Sequence, residues 1–335
     1  MDHQTLLLVL LFLGCLFSYT NGFQDGSSVA ASPIASRSLE PARAAVLTAC
    51  FEFLGALAGG SAVAGSIAAI TTYTDQEGFL SVLVVALFCA IVWNFFTRLI
   101  KVPSSSTHAL VGGLIGSIWG RSGNLDYINL GDFGYLVHPT GVAKVILTLF
   151  LSPLIGFVSG YLLLKLSLIV FRFASSRLTR ALKRMQWLVL PLLAFGHGAN
   201  DSQKVMGLLV LALVGQVGVI PLPVRLLVGA AMTLGVVAMA PGIVKRVGSG
   251  IYRQRPLHAF VSELASAVVV SFGSLTGGPV SASQVIASTV MGVGYADRRK
   301  GVQWLVARDM LMAWFLTIPC SALLAYLISF WTRPG

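Results

Sequence analysis

The chain has 335 residues, 56% of them hydrophobic and only 10% charged, and its mean hydropathy is +0.84. That is more apolar surface than one soluble core can bury, so a soluble globular domain is excluded and an all-α, polytopic membrane protein is expected. The net charge of +11 could suggest nucleic acid, but the placement of the basic residues argues against it.

In chain order the apolar pattern predicts about ten crossings, at 5–36, 44–72, 79–101, 103–120, 139–171, 186–214, 224–244, 258–276, 279–295 and 304–331. The first contains LLLVLLFLGCLF (6–17), and the preceding MDHQ carries no Lys or Arg, which disfavours a cleaved signal peptide. Between the fifth and sixth spans lies the basic stretch RFASSRLTRALKR (172–184), read as a linker between two halves. The chain is accordingly divided into a first repeat (1–125), a linking span with its basic loop (126–185), a second repeat (186–300) and a final span (301–335). Cys15, Cys50, Cys89 and Cys320 fall singly in apolar segments and are read as small core hydrophobes.

With both termini external, the linker and residues such as Arg37, Arg98, Lys245, Arg253, Arg255, Arg298 and Arg308 gather on one side. That side is cytoplasmic by the positive-inside rule, so the charge reports topology rather than nucleic acid, and a multi-pass protein of a bacterial-type inner membrane is expected.

One interval recurs. Adding 176 takes Gly22 to Gly198, Asp25 to Asp201, Gly59 to Gly235, Pro103 to Pro279, Ser105 to Ser281, Thr107 to Ser283 and Gly116 to Gly292. Five spans separate the two starts, so the second copy enters from the opposite face, as in transporters built from inverted-topology repeats with broken helices meeting at a central site.

The chemistry sits at the coinciding positions. VPSSSTHALVGGLIG (102–116) and GPVSASQVIASTVMG (278–292) each place Pro and hydroxyl residues before a Gly-spaced helix, as at a helix start inside the membrane. Helix amino termini attract anions, and Ser104, Ser105, Ser106, Thr107, Ser281 and Ser283 would add donors for a tetrahedral oxyanion. Asp25 and Asp201, flanked by Gly22, Gly26, Gly196 and Gly198, are costly at bilayer depth and are expected at helix unwindings, where exposed carbonyls with Gln24, Ser28 and Asn200 could hold Na⁺. Two carboxylates beside an anion require a cation or proton, which argues for ion-coupled transport. No resident cofactor is expected.

GHGANDSQKVMG (196–207) resembles the G-x-N-D-x-A-N signature of the inorganic phosphate transporter family. NGFQDGSS (21–28) resembles its first copy, and PSSSTH and PVSASQ its paired P-[VI]-S-T-T-H segments. The resemblance, of the short prokaryotic type, implies symport of inorganic phosphate with Na⁺ or H⁺, arsenate or sulfate being related anions, and a homodimer in the lipid bilayer. Lys204 stands where the second signature closes with Asn and is read in two ways, as a fixed ammonium replacing one cation or as a side chain snorkelling away. Glu52 and Glu263 match glutamates of the family, which implies a part in coupling, the other reading being a pairing with Arg or a helix terminus. His108 and His197 adjoin the two motifs, where either could carry a proton near neutral pH, although a His satisfied within helix packing is the more common case.

Three rivals are weighed. GRSG (120–123) matches a string of intramembrane serine proteases, but Ser122 leads into a polar loop without a paired His. A channel needs a continuous polar path rather than two polar knots. A sulfate permease of the same family is the nearest alternative; the paired aspartates favour phosphate, whose O–H needs an acceptor.

Overall fold

The computed structural model describes residues 2–73, 76–100, 104–132, 139–173 and 177–333; Asp75, Lys101 and Pro103 lie outside the described residues. The order is α1 (His3–Asn21), a π turn (Gly22–Gly26), α2 (Ser27–Val29), α3 (Ala31–Ala35), α4 (Pro41–Ala58), α5 (Ala62–Ala68), α6 (Gln76–Leu99) and α7 (Ser106–Ser122). Then follow α8 (Gly141–Val170), α9 (Arg177–Val214), α10 (Leu222–Ala238), α11 (Pro241–Lys245), a second π turn (Arg246–Gly250), α12 (Pro256–Thr276), α13 (Ala282–Arg298) and α14 (Trp304–Trp331). Among the described residues an isolated bridge, Thr71 with Ile128, is the sole extended pairing. The elements begin where local chemistry allows: Pro41 and Pro256 occupy the first turns of α4 and α12, where a missing N–H costs nothing.

Six described helices are long and apolar enough to cross a membrane: His3–Val29, Pro41–Ala58, Gly78–Leu99, Gly141–Val170, Pro256–Thr276 and Trp304–Trp331. The pair Leu222–Ala238 and Pro241–Gly250, bent by 68°, makes a seventh if taken as one broken span. The other predicted spans correspond to α7, α9 and α13. α7 and α13 have 17 residues each, about 25 Å of helix, short of a full crossing and in keeping with starts inside the protein. α9 carries His197, Asn200, Asp201, Gln203 and Lys204 through its middle, all buried. The long helices α8 and α14 turn Leu154, Leu162, Phe315 and Leu323 outward, a surface suited to lipid. Of the cysteines only Cys89 is buried; Cys50 is exposed on α4 and so is not the core residue its apolar segment suggested.

Close approaches set how these helices cross. α1 packs on α10, where a Cβ on Gly22 would lie 2.0 Å from the Met232 carbonyl oxygen, and α9 packs on α4, where a Cβ on Gly198 would lie 2.1 Å from that of Glu52. Gly235 meets the Tyr19 carbonyl in the same way at 2.0 Å, and Gly55 the Phe195 carbonyl at 2.2 Å. These contacts are reciprocal, but 180 residues separate Glu52 from Met232 and Gly55 from Gly235. Gly55 thus makes the approach that Gly235 makes, at an interval of 180 rather than the 176 that takes Gly59 to Gly235; Gly59 ends α4, and its carbonyl accepts from Arg225. Likewise α7 packs on α14 at Gly116 and α13 on α8 at Gly292, where an added Cβ would in each case lie 2.0 Å from a facing carbonyl oxygen.

Candidate functional site

Asp25 lies on the first π turn and Asp201 midway along α9, and both are buried. The unwinding expected at Asp201 does not occur, since α9 runs without interruption from Arg177 to Val214. Its glycines serve close packing instead, Gly198 against Glu52 and Gly196 against Ser271, so no main-chain carbonyls are freed for an ion there. At Asp25 the chain widens into the π turn, a device common at functional sites.

The two predicted helix starts meet at this level. Ser105 caps α7, its Oγ accepting from the His108 N–H at 3.1 Å, so this hydroxyl serves its own helix. Ser106 Oγ donates to Asp25 Oδ2 at 2.7 Å and lies 3.2 Å from Asn21 Oδ1. Ser283 Oγ, near the start of α13, donates to the Ser104 carbonyl at 3.2 Å, and Ser281, the residue before α13, lies 3.5 Å from it. The Ser104 hydroxyl pairs with Thr97 at 2.8 Å.

Lys204 is fully buried, so the snorkelling alternative fails. Its Nζ donates to Asp201 Oδ1, Thr107 Oγ1 and the Val280 carbonyl, each at 2.6 Å. Three protons meet three oxygens, and the ammonium clamps α9 to both helix starts. On the other side of Asp201, His197 Nε2 lies 3.3 Å from Oδ2 while its Nδ1 lies 2.8 Å from Glu52 Oε1. Both ring nitrogens face carboxylates, but only Nδ1 is hydrogen-bonded; Nε2 is buried without a hydrogen bond. Asn21 Nδ2 also donates to Asp201 Oδ2, at 3.1 Å.

Not every expected residue joins the cluster. Gln24 ties the π turn to the Asn94 carbonyl at 2.6 Å, and Ser28 leans back toward the Gln24 carbonyl at 3.5 Å. Asn200 donates to the Gly278 carbonyl at 3.0 Å, with its Oδ1 buried and unpartnered. Glu263 is buried on α12 against Gln186 and has no hydrogen bond or ion pair with the central groups, unlike Glu52. His108 lies edge-on to Phe150, 3.4 Å from Gln284 Nε2. Ser122 ends α7, its hydroxyl donating to the Ile118 carbonyl, at the opposite end from His108. Asn21 was missed from sequence, yet it lies 176 residues before His197, the interval of the two aspartates, and that signal would have found it.

Asp25, His197 and Asp201 offer ligand atoms within 4.8 Å of one another, a grouping able to seat a cation. Glu52 adds a third carboxylate, one of whose oxygens, Oε2, is buried without a hydrogen bond. Against three carboxylates stand the Lys204 ammonium and the His197 ring. Unit charges 4 Å apart interact by about 4 kcal/mol at an effective dielectric of about 20, so an anion entering here needs additional positive charge.

The family model described as "Phosphate transporter family" matches residues 21–325. A Bacillus subtilis (strain 168) protein named "Probable low-affinity inorganic phosphate transporter" is 32% identical over 339 residues, covering 98% of each chain. A Rhizobium meliloti (strain 1021) protein of the same name is 32% identical over 97% of this chain and 96% of its own. A solved structure entitled "The sodium-dependent phosphate transporter" has a TM-score of 0.85 over 98% of both chains at 22% identity, a shared fold.

Proposed function

The chain belongs to the phosphate transporter family of multi-pass membrane proteins, and from that premise we propose that it carries inorganic phosphate across the cell membrane together with Na⁺ or H⁺, by alternating access to one central site. The observation that carries this reading is the buried meeting of Asp25, Asp201 and Lys204 with the starts of α7 and α13. Ser106 and Thr107, now held by Asp25 and Lys204, are the donors that turn to the anion, and the two helix amino termini add their partial positive charge. Hydrogen phosphate, unlike sulfate, also donates, and Asp25 is an acceptor within reach of the same serine.

The negative balance of the site supplies the reason for coupling. A cation or proton at Asp25, His197 and Asp201 offsets the charge that the anion brings, so neither crosses readily alone. Inverted repeats are supported by the reciprocal packing of α1 on α10 and α9 on α4, and they provide two related packings for alternate opening to each face. Lys204 occupies a shell of one carboxylate, one hydroxyl and one carbonyl oxygen, the ligand types that suit a hard cation. We assign it as a tethered positive charge that replaces one transported ion. The test is uptake of labelled phosphate by proteoliposomes under imposed Na⁺ or H⁺ gradients, with sulfate and arsenate as competitors. Uptake above equilibrium with one gradient and not without it is expected; gradient-independent equilibration, or preference for sulfate, would overturn the reading.

A further inference from the structure

A cavity of about 680 Å³ opens at the basic face, lined by Arg37, Arg253, Arg255 and Arg298 with Asp297 as its one acidic residue. Arg255 lies 3.2 Å from Asp297, and Tyr252 donates to the same carboxylate oxygen. Burial, and then the bond to Asp297, push the Tyr252 hydroxyl up to about 12, so it remains a neutral donor. Asp297 is thus committed to Arg255, Tyr252 and, at 3.5 Å, His258 Nε2, while Arg37, Arg253 and Arg298 have no ion pair among the described residues.

A buried polar seam joins this cavity to the centre. Ser28, Ser32 and Ser36 follow one another at four-residue intervals from the Asp25 turn to the cavity, along one face, and all three are buried. Across from them on α12, Ser262 Oγ lies 3.5 Å from Ser32 Oγ and 3.2 Å from Gln254 Oε1, and Gln254 lines the cavity. One turn deeper Ser266 pairs with Thr289 of α13 at 2.7 Å. Ser28, Ser36, Ser262 and Ser266 each also bond a main-chain carbonyl of their own segment, which offsets the cost of burying them, and together the hydroxyls form a line between the ionic centre and an arginine-lined opening. The line is not imposed by a repeat: 176 residues on, Ser32 and Ser36 become Leu208 and Ala212. In this conformation it is sealed where the second π turn packs on α3, a Cβ on Gly248 lying 2.6 Å from the Ala31 carbonyl oxygen.

We infer that phosphate leaves the central site along the Ser28, Ser32 and Ser36 stripe and is received by Arg37, Arg253 and Arg298 in the cavity at its end, which is a second, cytoplasmic anion site. Guanidinium groups match a phosphate oxyanion in charge and geometry, and serine hydroxyls can donate to it on the way. The inference rests on the transport reading above. Its consequence is an asymmetry, since the arginines meet phosphate only from the cytoplasmic side.

The experiment compares labelled-phosphate exchange in inside-out and right-side-out membrane vesicles for the parent and for the triple variant Arg37→Gln, Arg253→Gln, Arg298→Gln. The apparent KM for cytoplasmic phosphate should rise five- to tenfold while the external KM stays within twofold. In a chain with its four cysteines replaced by serine, Ser32→Cys should react with a membrane-impermeant thiol reagent from the cytoplasmic side only, and more slowly with phosphate present. An unchanged cytoplasmic KM, or a Ser32→Cys variant labelled from outside, from both sides or from neither, overturns the inference while leaving phosphate transport standing. A parent chain that exchanges no phosphate in either vesicle overturns the transport reading itself.

Discussion

Replacing Lys204 by Met removes the one permanent positive charge of the ionic centre. The ammonium makes three hydrogen bonds of 2.6 Å, one of them to Asp201 Oδ1, and is wholly buried. Losing one member of a buried ion pair costs about 3–5 kcal/mol, because the carboxylate left behind has neither water nor counter-charge. That cost falls on stability, so Lys204→Met should melt at a lower temperature than the parent, and its phosphate uptake should fall at every Na⁺ concentration because the charge that balances Asp201 and the entering anion is gone. Lys204→Asn differs, because its shorter side chain vacates the shell of Asp201, Thr107 and Val280 for a mobile cation and supplies an oxygen of its own. The Asn variant should therefore regain uptake as external Na⁺ is raised, with a steeper Na⁺ dependence than the parent. The assay is initial-rate uptake in proteoliposomes across a Na⁺ series at fixed pH, with detergent-solubilised thermal stability confirming that both variants fold. If both variants fold and transport as the parent does, with the same Na⁺ response, Lys204 carries no coupling charge.

The other expectations are simpler to measure. Asp25→Asn and Asp201→Asn should each abolish concentrative uptake with the protein still expressed; near-normal accumulation in either would remove that residue from the site. Ser106→Ala and Thr107→Ala each delete a hydrogen bond to a charged partner, worth ~1.5–3 kcal/mol, and should weaken phosphate binding roughly ten- to a hundredfold by calorimetry or competition. Gly198→Ala puts a methyl 2.1 Å from the Glu52 carbonyl oxygen, so a loss of about 1–3 kcal/mol in stability is expected, seen as a lower melting temperature. Glu263→Gln should leave ion coupling intact, since Glu263 faces Gln186 rather than the central groups; an altered Na⁺ or pH dependence of uptake would show that it acts on the site from a distance.

Composition determined the class: a chain this apolar must satisfy its backbone internally, and its long unbroken apolar runs select membrane helices over an alternating barrel pattern. The recurrence of Asp25 and Asp201 at one interval pointed to the centre for a similar reason, because a carboxylate in an apolar run is too costly to repeat without use. Close packing could not be read in this way. Whether a glycine unwinds a helix or lets a carbonyl approach depends on what lies opposite, and for Gly198 that is the main chain at Glu52, distant in sequence. The same holds for the two glutamates, alike on paper, of which Glu52 reaches His197 and Glu263 turns to Gln186. It holds above all for Lys204, whose long side chain could reach water or the core. Only the convergence of Asp201, Thr107 and Val280 from three separate helices and loops supplies enough oxygen to keep its charge inside.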